Sequence, residues 1–239
     1  MQDTDADWAL WGEMDPYFGV LSQDKYRRQN LTEDTLDEFW AGGVSQMEEM
    51  AGHIRRGFGE FPRATALDFG CGVGRLTRGM ARMCDHVVGL DVAPGMIAEA
   101  QRDAPENTEY LLELGDQTFD WVNSIIVFQH IPPVRGYAIL EDLLSRINPG
   151  GVFSLHLTLY KDASFMPYLA GSLRAARFDG ERMEVLGVEP SPRGAMMMYD
   201  YDMTRLIEIT ARHGFHALLT LHTNHGGCHG AILFGRKGA

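Results

Sequence analysis

The stretch of the chain over residues 64–91 combines two acidic residues with a run of glycines. It reads ATALDFGCGVGRLTRGMARMCDHVVGLD. Glycine lets the backbone pass close to a ligand and adopt a positive φ without a Cβ clash. An aspartate that closes the second apolar run can accept hydrogen bonds from both hydroxyl groups of a ribose. The residues with this chemistry are Asp68, Gly70, Gly72, Gly74 and Asp91.

The sequence around these residues predicts the elements that position them. An apolar run over Ala64–Phe69 precedes the glycines, a helical pattern follows over Arg75–Met83, and a second apolar run covers His86–Leu90. Strand, glycine turn, helix, strand and acid form the first unit of a nucleotide-binding α/β sheet. The pattern therefore predicts an α/β fold with its ligand at the glycine turn.

The glycine spacing bears on which ligand the turn accepts. The dinucleotide fingerprint is GxGxxG, whereas this chain has GxGxG with Asp68 two residues before the first glycine. An acid at the strand end suits a cationic or amino-bearing ligand and repels a pyrophosphate. An NAD-binding domain and a purely structural glycine turn remain as alternatives at this point.

The segment DFGCGVGR followed by VVGLD resembles the first two motifs of the class I S-adenosylmethionine (SAM)-dependent methyltransferases. In that family the first acid serves the amino-acid end of SAM, the glycines line it, and the second acid holds the ribose. The resemblance implies SAM as cofactor and S-adenosylhomocysteine (SAH) as product. The implied cofactor-binding residues are Asp68, Gly70, Cys71, Gly72, Gly74, Arg75, Asp91, Val92, Met96, Glu113 and Gln129.

The same resemblance implies a fold. We expect an α/β three-layer sandwich around a mostly parallel seven-stranded sheet of order 3-2-1-4-5-7-6, with the last strand antiparallel and an N-terminal helical cap. Residues 1–60 are expected to form the cap and residues 61–239 the SAM-binding domain, with a substrate-side insertion over residues 160–200. Arg75 either pairs with the SAM carboxylate or is a solvated arginine in the first turn of a helix.

Composition argues against several classes of partner. The 239 residues carry a formal net charge of −12, which argues against nucleic acid or an anionic membrane as the main partner. Three cysteines without paired spacing fit reduced thiols, and the N-terminus lacks an apolar signal core. We expect a cytoplasmic protein, monomeric or homodimeric, that acts on a small molecule.

The remaining elements follow from hydrophobic periodicity and from breaker residues. Two helices are predicted over Leu31–Trp40 and Val44–Phe58, separated by Gly42 and Gly43, with Thr32 as an N-cap. The later helices are predicted at Pro94–Ala104, Pro133–Ile147, Phe165–Phe178 and Asp202–His213, and the later strands at Thr108–Leu112, Asp120–Phe128, Val152–Leu159, Phe215–Thr223 and His229–Arg236.

The link between the third and fourth predicted strands is unusually short. Only about half a dozen residues are available, whereas a parallel crossover needs a dozen or more. We therefore expect the helix of this crossover to be missing. In the resembling family an acid beyond the third strand contacts the adenine, which here would be Glu113 or Asp116.

Ligands of open α/β sheets lie beyond the carboxyl ends of the parallel strands, and His130 follows the fourth strand. A histidine there can take an acceptor proton near neutral pH, or it can cap the next helix or pack under the cofactor. We take His130 as the candidate catalytic residue. The candidate substrate-side residues are Tyr17, Tyr26, Tyr160, His222 and His225.

Two further clusters allow two interpretations each. His222, His225, Cys228 and His229 could bind zinc, but their spacing matches no zinc finger or helical metal site, so we expect no metal. The three consecutive methionines at 196–198 are either core or an adaptable apolar wall for a substrate.

The expected function is SAM-dependent methyl transfer to a small-molecule oxygen or nitrogen acceptor. The alternatives are methylation of a sugar or glycan end, and a SAM-binding partner protein without catalysis. An NAD-dependent oxidoreductase is the remaining rival.

Overall fold

The fold, taken from a computed structural model, is built on a seven-stranded sheet of order β3-β2-β1-β4-β5-β9-β8. The structure describes residues 4–162, 175–178, 183–186, 194 and 196–238. β1 to β5 run parallel, and β9 is antiparallel to both of its neighbours. The strands are β1 Thr65–Phe69, β2 His86–Leu90, β3 Thr108–Leu111, β4 Phe119–Ser124, β5 Ile147–Lys161, β6 Ala175–Phe178, β7 Met183–Leu186, β8 Leu218–His225 and β9 Cys228–Arg236. The predicted strand order is confirmed, and β6 and β7 form a separate two-stranded sheet.

Helices flank the sheet. They are α1 Thr4–Met14, α2 Pro16–Val20, α3 Glu33–Phe58, α4 Arg75–Ala81, α5 Pro94–Ala100, α6 Pro133–Ser145 and α7 Met203–Arg212. The predicted N-cap of α3 is confirmed, since the Thr32 side chain accepts from the backbone N–H of Thr35. Within the described residues, no helix has both the length and the apolar character needed to cross a bilayer.

Two apolar cores make the sandwich. On one face, Met47 and Ile54 of α3 and Met80 of α4 pack against Trp121 and Phe234 of the sheet. On the other face, α6 and α7 pack against β5 and β9 through a second cluster of buried side chains that includes Leu140, Leu144, Leu206, Phe153 and Leu233. The expected three-layer α/β architecture is therefore confirmed, and α3 forms part of one outer layer.

Helix α3 corrects the prediction of two helices broken at Gly42 and Gly43, because it is continuous over 26 residues. A Cβ on Gly43 would overlap the backbone carbonyl oxygen of Arg75 in α4. A Cβ on Gly79 would lie 2.8 Å from the carbonyl oxygen of Gly43. Gly43 and Gly79 therefore allow α3 to cross close to α4. In α3 the glycine at position 43 serves this contact and does not end the helix.

The segment between β3 and β4 confirms the missing crossover helix, since residues 112–118 connect the strands without one. β4 is shorter than predicted and ends at Ser124. Ile126 then has φ = 62°, a backbone conformation that is strained for a β-branched residue, and a 3-10 turn follows over Phe128–His130. The strand prediction to Phe128 was wrong because nothing local in the apolar sequence marks this reversal.

The predicted helix over Phe165–Phe178 falls largely outside the described residues. Its last four residues, Ala175–Phe178, form β6, so the helical prediction is wrong there. β6 pairs with β7 in antiparallel register. The extended backbone of each strand forms its hydrogen bonds with the other strand of this pair.

Candidate functional site

The central cavity lies at the carboxyl ends of β1, β2 and β4 and measures about 700 Å³. That volume lies within the usual range for small-molecule pockets. α1 contributes Thr4, Asp5 and Trp8 to the cavity wall, so this N-terminal helix lies over the carboxyl ends of the strands. The wall residues that carry the argument are Gly70, Gly72, Asp91, Gln129, His130 and His225.

Asp91 is fixed to the glycine turn by backbone hydrogen bonds. Its Oδ2 accepts from the N–H of Gly72 at 2.9 Å, and its Oδ1 accepts from the N–H of Ala93 at 2.9 Å. Burial raises the pKa of Asp91, and these N–H donors act against that rise. A carboxylate oxygen can accept a further hydrogen bond, so both oxygens can still serve a ligand donor at the cavity wall.

The turn itself has the backbone of a ligand cradle. Gly70, Gly72 and Gly74 have φ of 74°, 53° and 83°, which side-chain-bearing residues rarely adopt. A Cβ on Gly70 would overlap Val127, and one on Gly72 would lie 2.5 Å from Val20. Glycine is therefore required both by conformation and by space. This cradle, with a carboxylate beside it, suits a nucleoside with an amino-bearing tail.

Asp68 lies beneath the turn and not on the cavity wall. It is 2% exposed, and its two carboxylate oxygens accept from the hydroxyl of Thr77 at 2.7 Å and from the amide of Asn123 at 2.9 Å. Burial raises its pKa to about 6, and the two donors oppose that rise. Cys71 and Gly74 also lie in the turn without lining the cavity.

Arg75 is directed away from the cavity toward α3. Its Nε donates to the carbonyl oxygen of Phe39 at 3.1 Å and its Nη1 to the side chain of Gln46 at 2.8 Å. Burial lowers the pKa of its guanidinium. Arg75 thus ties α4 to α3, an arrangement that neither interpretation of the sequence included.

His130 lies on the cavity wall at the end of a hydrogen-bonded chain. Its Nδ1 lies 2.7 Å from the carbonyl oxygen of Met197, which assigns the ring hydrogen to Nδ1. Its Nε2 then accepts from the amide of Gln129 at 3.0 Å, and Oε1 of Gln129 accepts from the Thr158 hydroxyl at 3.1 Å. Burial lowers the pKa of His130 to about 4, so the ring is neutral at pH 7.

Other predicted residues divide between the cavity and the rest of the chain. Val92, Met96, Gln129 and His225 line the cavity together with His130. The Tyr17 hydroxyl instead donates to Glu99 at 3.0 Å in a separate small cleft. Tyr26, Tyr160, His222 and Glu113 also lie away from the cavity wall.

The tyrosines away from the cavity have other partners. Tyr26 is 3% exposed and packs edge-on against Phe39 in an aromatic cluster under α1 and α2. Tyr160 is half-exposed and stacks on His229, with ring centroids 4.5 Å apart. Their aromatic rings are therefore used for packing.

The C-terminal histidine and cysteine cluster is dispersed. His225 makes an edge contact with buried His156, whereas His229 pairs with Asp162 at 2.8 Å. Across the part of the chain that the structure describes, no three potential ligands come close enough to hold a metal ion.

Some cavity residues had a weak signal in the sequence or none. Met196 and Met198 line the cavity, as the second interpretation of the methionine run had it. Trp8 packs edge-on against His130 with ring centroids 4.9 Å apart, and only the density of aromatics near the N-terminus pointed to it. Ile126 also lines the cavity, and no local pattern predicts its left-handed backbone.

Comparison with known proteins finds similarity to methyltransferases. Residues 66–151 match a family model described as a methyltransferase domain. The ubiquinone biosynthesis O-methyltransferase of Maricaulis maris is 28% identical over 155 residues, which cover 60% of this chain and 55% of that protein. The corresponding protein of Paramagnetospirillum magneticum is 35% identical over 101 residues, covering 39% and 40%. The chain spans about half the length of these curated relatives.

Solved structures share the fold over most of the chain. Magnesium protoporphyrin IX methyltransferase from Synechocystis PCC 6803 with bound SAH has a TM-score of 0.62 at 20% identity, covering 93% of this chain and 97% of that one. The 1,6-didemethyltoxoflavin-N1-methyltransferase of Burkholderia thailandensis has a TM-score of 0.52 at 16% identity, covering 84% and 79%. At these identities the likeness establishes the fold.

Proposed function

We propose that the protein transfers a methyl group from SAM to a small-molecule oxygen or nitrogen acceptor, because residues 66–151 match a methyltransferase-domain model and the chain shares the fold of solved methyltransferases. The observation that carries the proposal is the hydrogen bond between Gly72 and Asp91 on the wall of the cavity that also holds His130. This hydrogen bond joins the glycine turn after β1 to the acid after β2 on the wall of one cavity large enough for a small molecule.

The cofactor is held by residues of the cavity wall. Asp91 accepts the ribose hydroxyls, Gly70 and Gly72 let the amino-acid portion approach the backbone, and Val92 and Met96 supply apolar contacts. Leu112, a partly exposed side chain on the cavity wall just after β3, takes the adenine side in place of Glu113, which does not line the cavity. When bound, SAM supplies a methyl group on a sulfonium sulfur, open to in-line displacement by a nucleophile.

The chain aligns the acceptor and excludes water. Trp8, Met196 and Met198 form an apolar wall near His130, and Met side chains adapt their shape to a ligand. Both ring nitrogens of His130 are engaged, so it acts by positioning Gln129 and the Met197 backbone. Holding the nucleophile in line with the methyl group is itself a large part of the rate gain.

The cap is assigned to α1 and α2 and not to all of residues 1–60. Asp7 accepts from the N–H of Gly194 at 2.7 Å, and the indole N–H of Trp11 donates to the Gly194 carbonyl at 2.9 Å. Asp5 pairs with both Nη atoms of Arg135 at 2.7 Å. These contacts support α1 as a cover that joins the N-terminus to the substrate side.

The test is turnover. The protein is incubated with SAM alone and, in separate reactions, with SAM plus catechol, a primary amine or an amino sugar. The SAH formed is quantified by mass spectrometry, with the Asp91→Ala variant as control. SAH that forms with an acceptor and not without it supports the proposal. SAH binding without turnover on any acceptor class would favour a non-catalytic SAM-binding protein.

Location and assembly complete the proposal. All three cysteines are free, which supports a reducing compartment such as the cytoplasm. We propose that the protein acts as a monomer or as a homodimer. Size-exclusion chromatography with light scattering distinguishes the two states.

A further inference from the structure

A chain of buried hydrogen bonds leads from the middle of the sheet to Asp68. The indole N–H of Trp121 donates to Oγ of Ser154 at 2.9 Å, and the hydroxyl of Ser154 donates to Oδ1 of Asn123 at 2.7 Å. The amide of Asn123 donates to Oδ1 of Asp68 at 2.9 Å. From the other side, Thr77 donates to Oδ2 of Asp68 at 2.7 Å. None of these five side chains is more than 2% exposed.

The direction of this chain is determined by its chemistry. An indole nitrogen can only donate, so Ser154 accepts from Trp121 and has its own hydrogen free for Asn123. Since Ser154 occupies the carbonyl oxygen of Asn123, the amide hydrogens of Asn123 must face Asp68. Every hydrogen in the chain therefore points toward the carboxylate of Asp68, which favours its ionised form.

We infer that Thr77, Asn123 and Ser154 are positioning residues that keep Asp68 ionised beneath the glycine turn, where its charge strengthens binding of the ammonium group at the amino-acid end of SAM and SAH. The inference rests on the proposed function, because it concerns the same cofactor. Asp68 does not line the cavity, so it acts through the turn by its electric field. In a buried setting such a field is screened little.

Other titratable groups also act on Asp68. Asp91 raises its pKa from across the turn, and Arg75, Cys71 and Tyr110 interact with it electrostatically. Burial raises the pKa of Cys71 and of Tyr110 far above neutrality, so neither changes charge between pH 5 and 8. Comparing variants that differ only in donors to Asp68 isolates its contribution.

The experiment is calorimetric titration of SAH at pH 6.5 and pH 8. Thr77→Val keeps the side-chain shape and removes one donor, which raises the pKa of Asp68 by about one unit. SAH affinity should then fall about threefold at pH 6.5 and stay near wild type at pH 8. Ser154→Ala should give a smaller shift in the same direction, because Asn123 loses its anchor.

Ser124→Ala is the matched control. Ser124 is as buried as Ser154 and neighbours Asn123 on β4, but its hydroxyl has no hydrogen-bond partner among the described residues. The SAH affinity of the Ser124→Ala variant should equal that of the wild type at both pH values. Equal weakening at both pH values in Thr77→Val and Ser154→Ala would indicate a structural role and overturn the inference, as would unchanged affinity throughout. Failure of wild type to bind SAH would instead overturn the proposed function.

Discussion

The backbone N–H of Gly72 donates to Oδ2 of Asp91 over 2.9 Å, so the glycine turn after β1 and the acid after β2 form one rigid unit. The parallel pairing of β1 with β2 brings the two strand ends together. Because the acid closes the turn as well as facing the cavity, its charge and the shape of the turn depend on each other. This coupling makes Asp91 the most informative position for mutation.

Asp91→Ala should weaken SAH binding by about 2 kcal/mol, roughly thirtyfold, because a charge-assisted acceptor is lost. Calorimetric titration measures the effect, with exposed Asp85→Ala as a control for the loss of one negative charge. Unchanged affinity in Asp91→Ala would show that the ribose is held elsewhere.

His130→Ala should lower the free energy of unfolding by about 1–3 kcal/mol, because it leaves the Met197 carbonyl and the Gln129 amide without their buried partner. His130→Asn should recover part of that loss, since its amide can donate where Nδ1 does. Urea denaturation measures both variants. Once an acceptor is known, wild-type turnover in His130→Asn would support a positioning role for His130. Equal loss of turnover in His130→Ala and His130→Asn would instead support proton transfer by His130.

Gly43→Ala should destabilise the protein by about 1–3 kcal/mol, because its methyl group would overlap the Arg75 carbonyl where α3 crosses α4. Gly52→Ala is the matched control in the same helix. There the new methyl group meets only the flexible end of Arg56 at 3.2 Å, and alanine is the better helix former. Thermal unfolding should show a loss for the first variant and no loss for the second. Equal effects would contradict the close crossing.

Stability should fall on acidification because of His156, which burial keeps neutral with a pKa of about 4. In the unfolded chain the ordinary pKa is about 6.5, so the unfolded state binds more protons between these values. The stabilisation is thus complete above about pH 6.5 and is lost as the pH falls toward 4. His156→Gln should reduce the slope of unfolding free energy by about 1 kcal/mol per pH unit between pH 6 and 5. Identical slopes would contradict this, and exposed His222→Gln controls for loss of an imidazole.

The sequence predicted features whose cause is local. The glycine turn and the N-cap Thr32 follow from the conformational range of single residues, and the positions of most strands and helices follow from periodicity. The order of the sheet came instead from the resemblance to the class I methyltransferases. The absence of a helix between β3 and β4 follows from chain length alone, because a short link cannot contain a crossover helix. These inferences require no knowledge of which residues meet in space.

Features that depend on tertiary contacts were not predictable in this way. Gly43 permits a helix crossing instead of a break, and Arg75 donates to Phe39, 36 positions earlier in the chain. His130 bonds to Met197, 67 positions away, which occupies a nitrogen that the sequence left free for catalysis. Ile126 has a left-handed backbone that its residue type disfavours. Each of these is decided by the partner and not by the residue itself.

The most direct test of the central claim is calorimetric titration of the wild-type chain with SAH, with NADH titrated in parallel. The cavity beside Asp91 should bind SAH at one site with a micromolar dissociation constant and show no binding of NADH. Binding of NADH without SAH would establish the dinucleotide alternative. Binding of neither ligand would contradict the assignment of the cavity as the cofactor site.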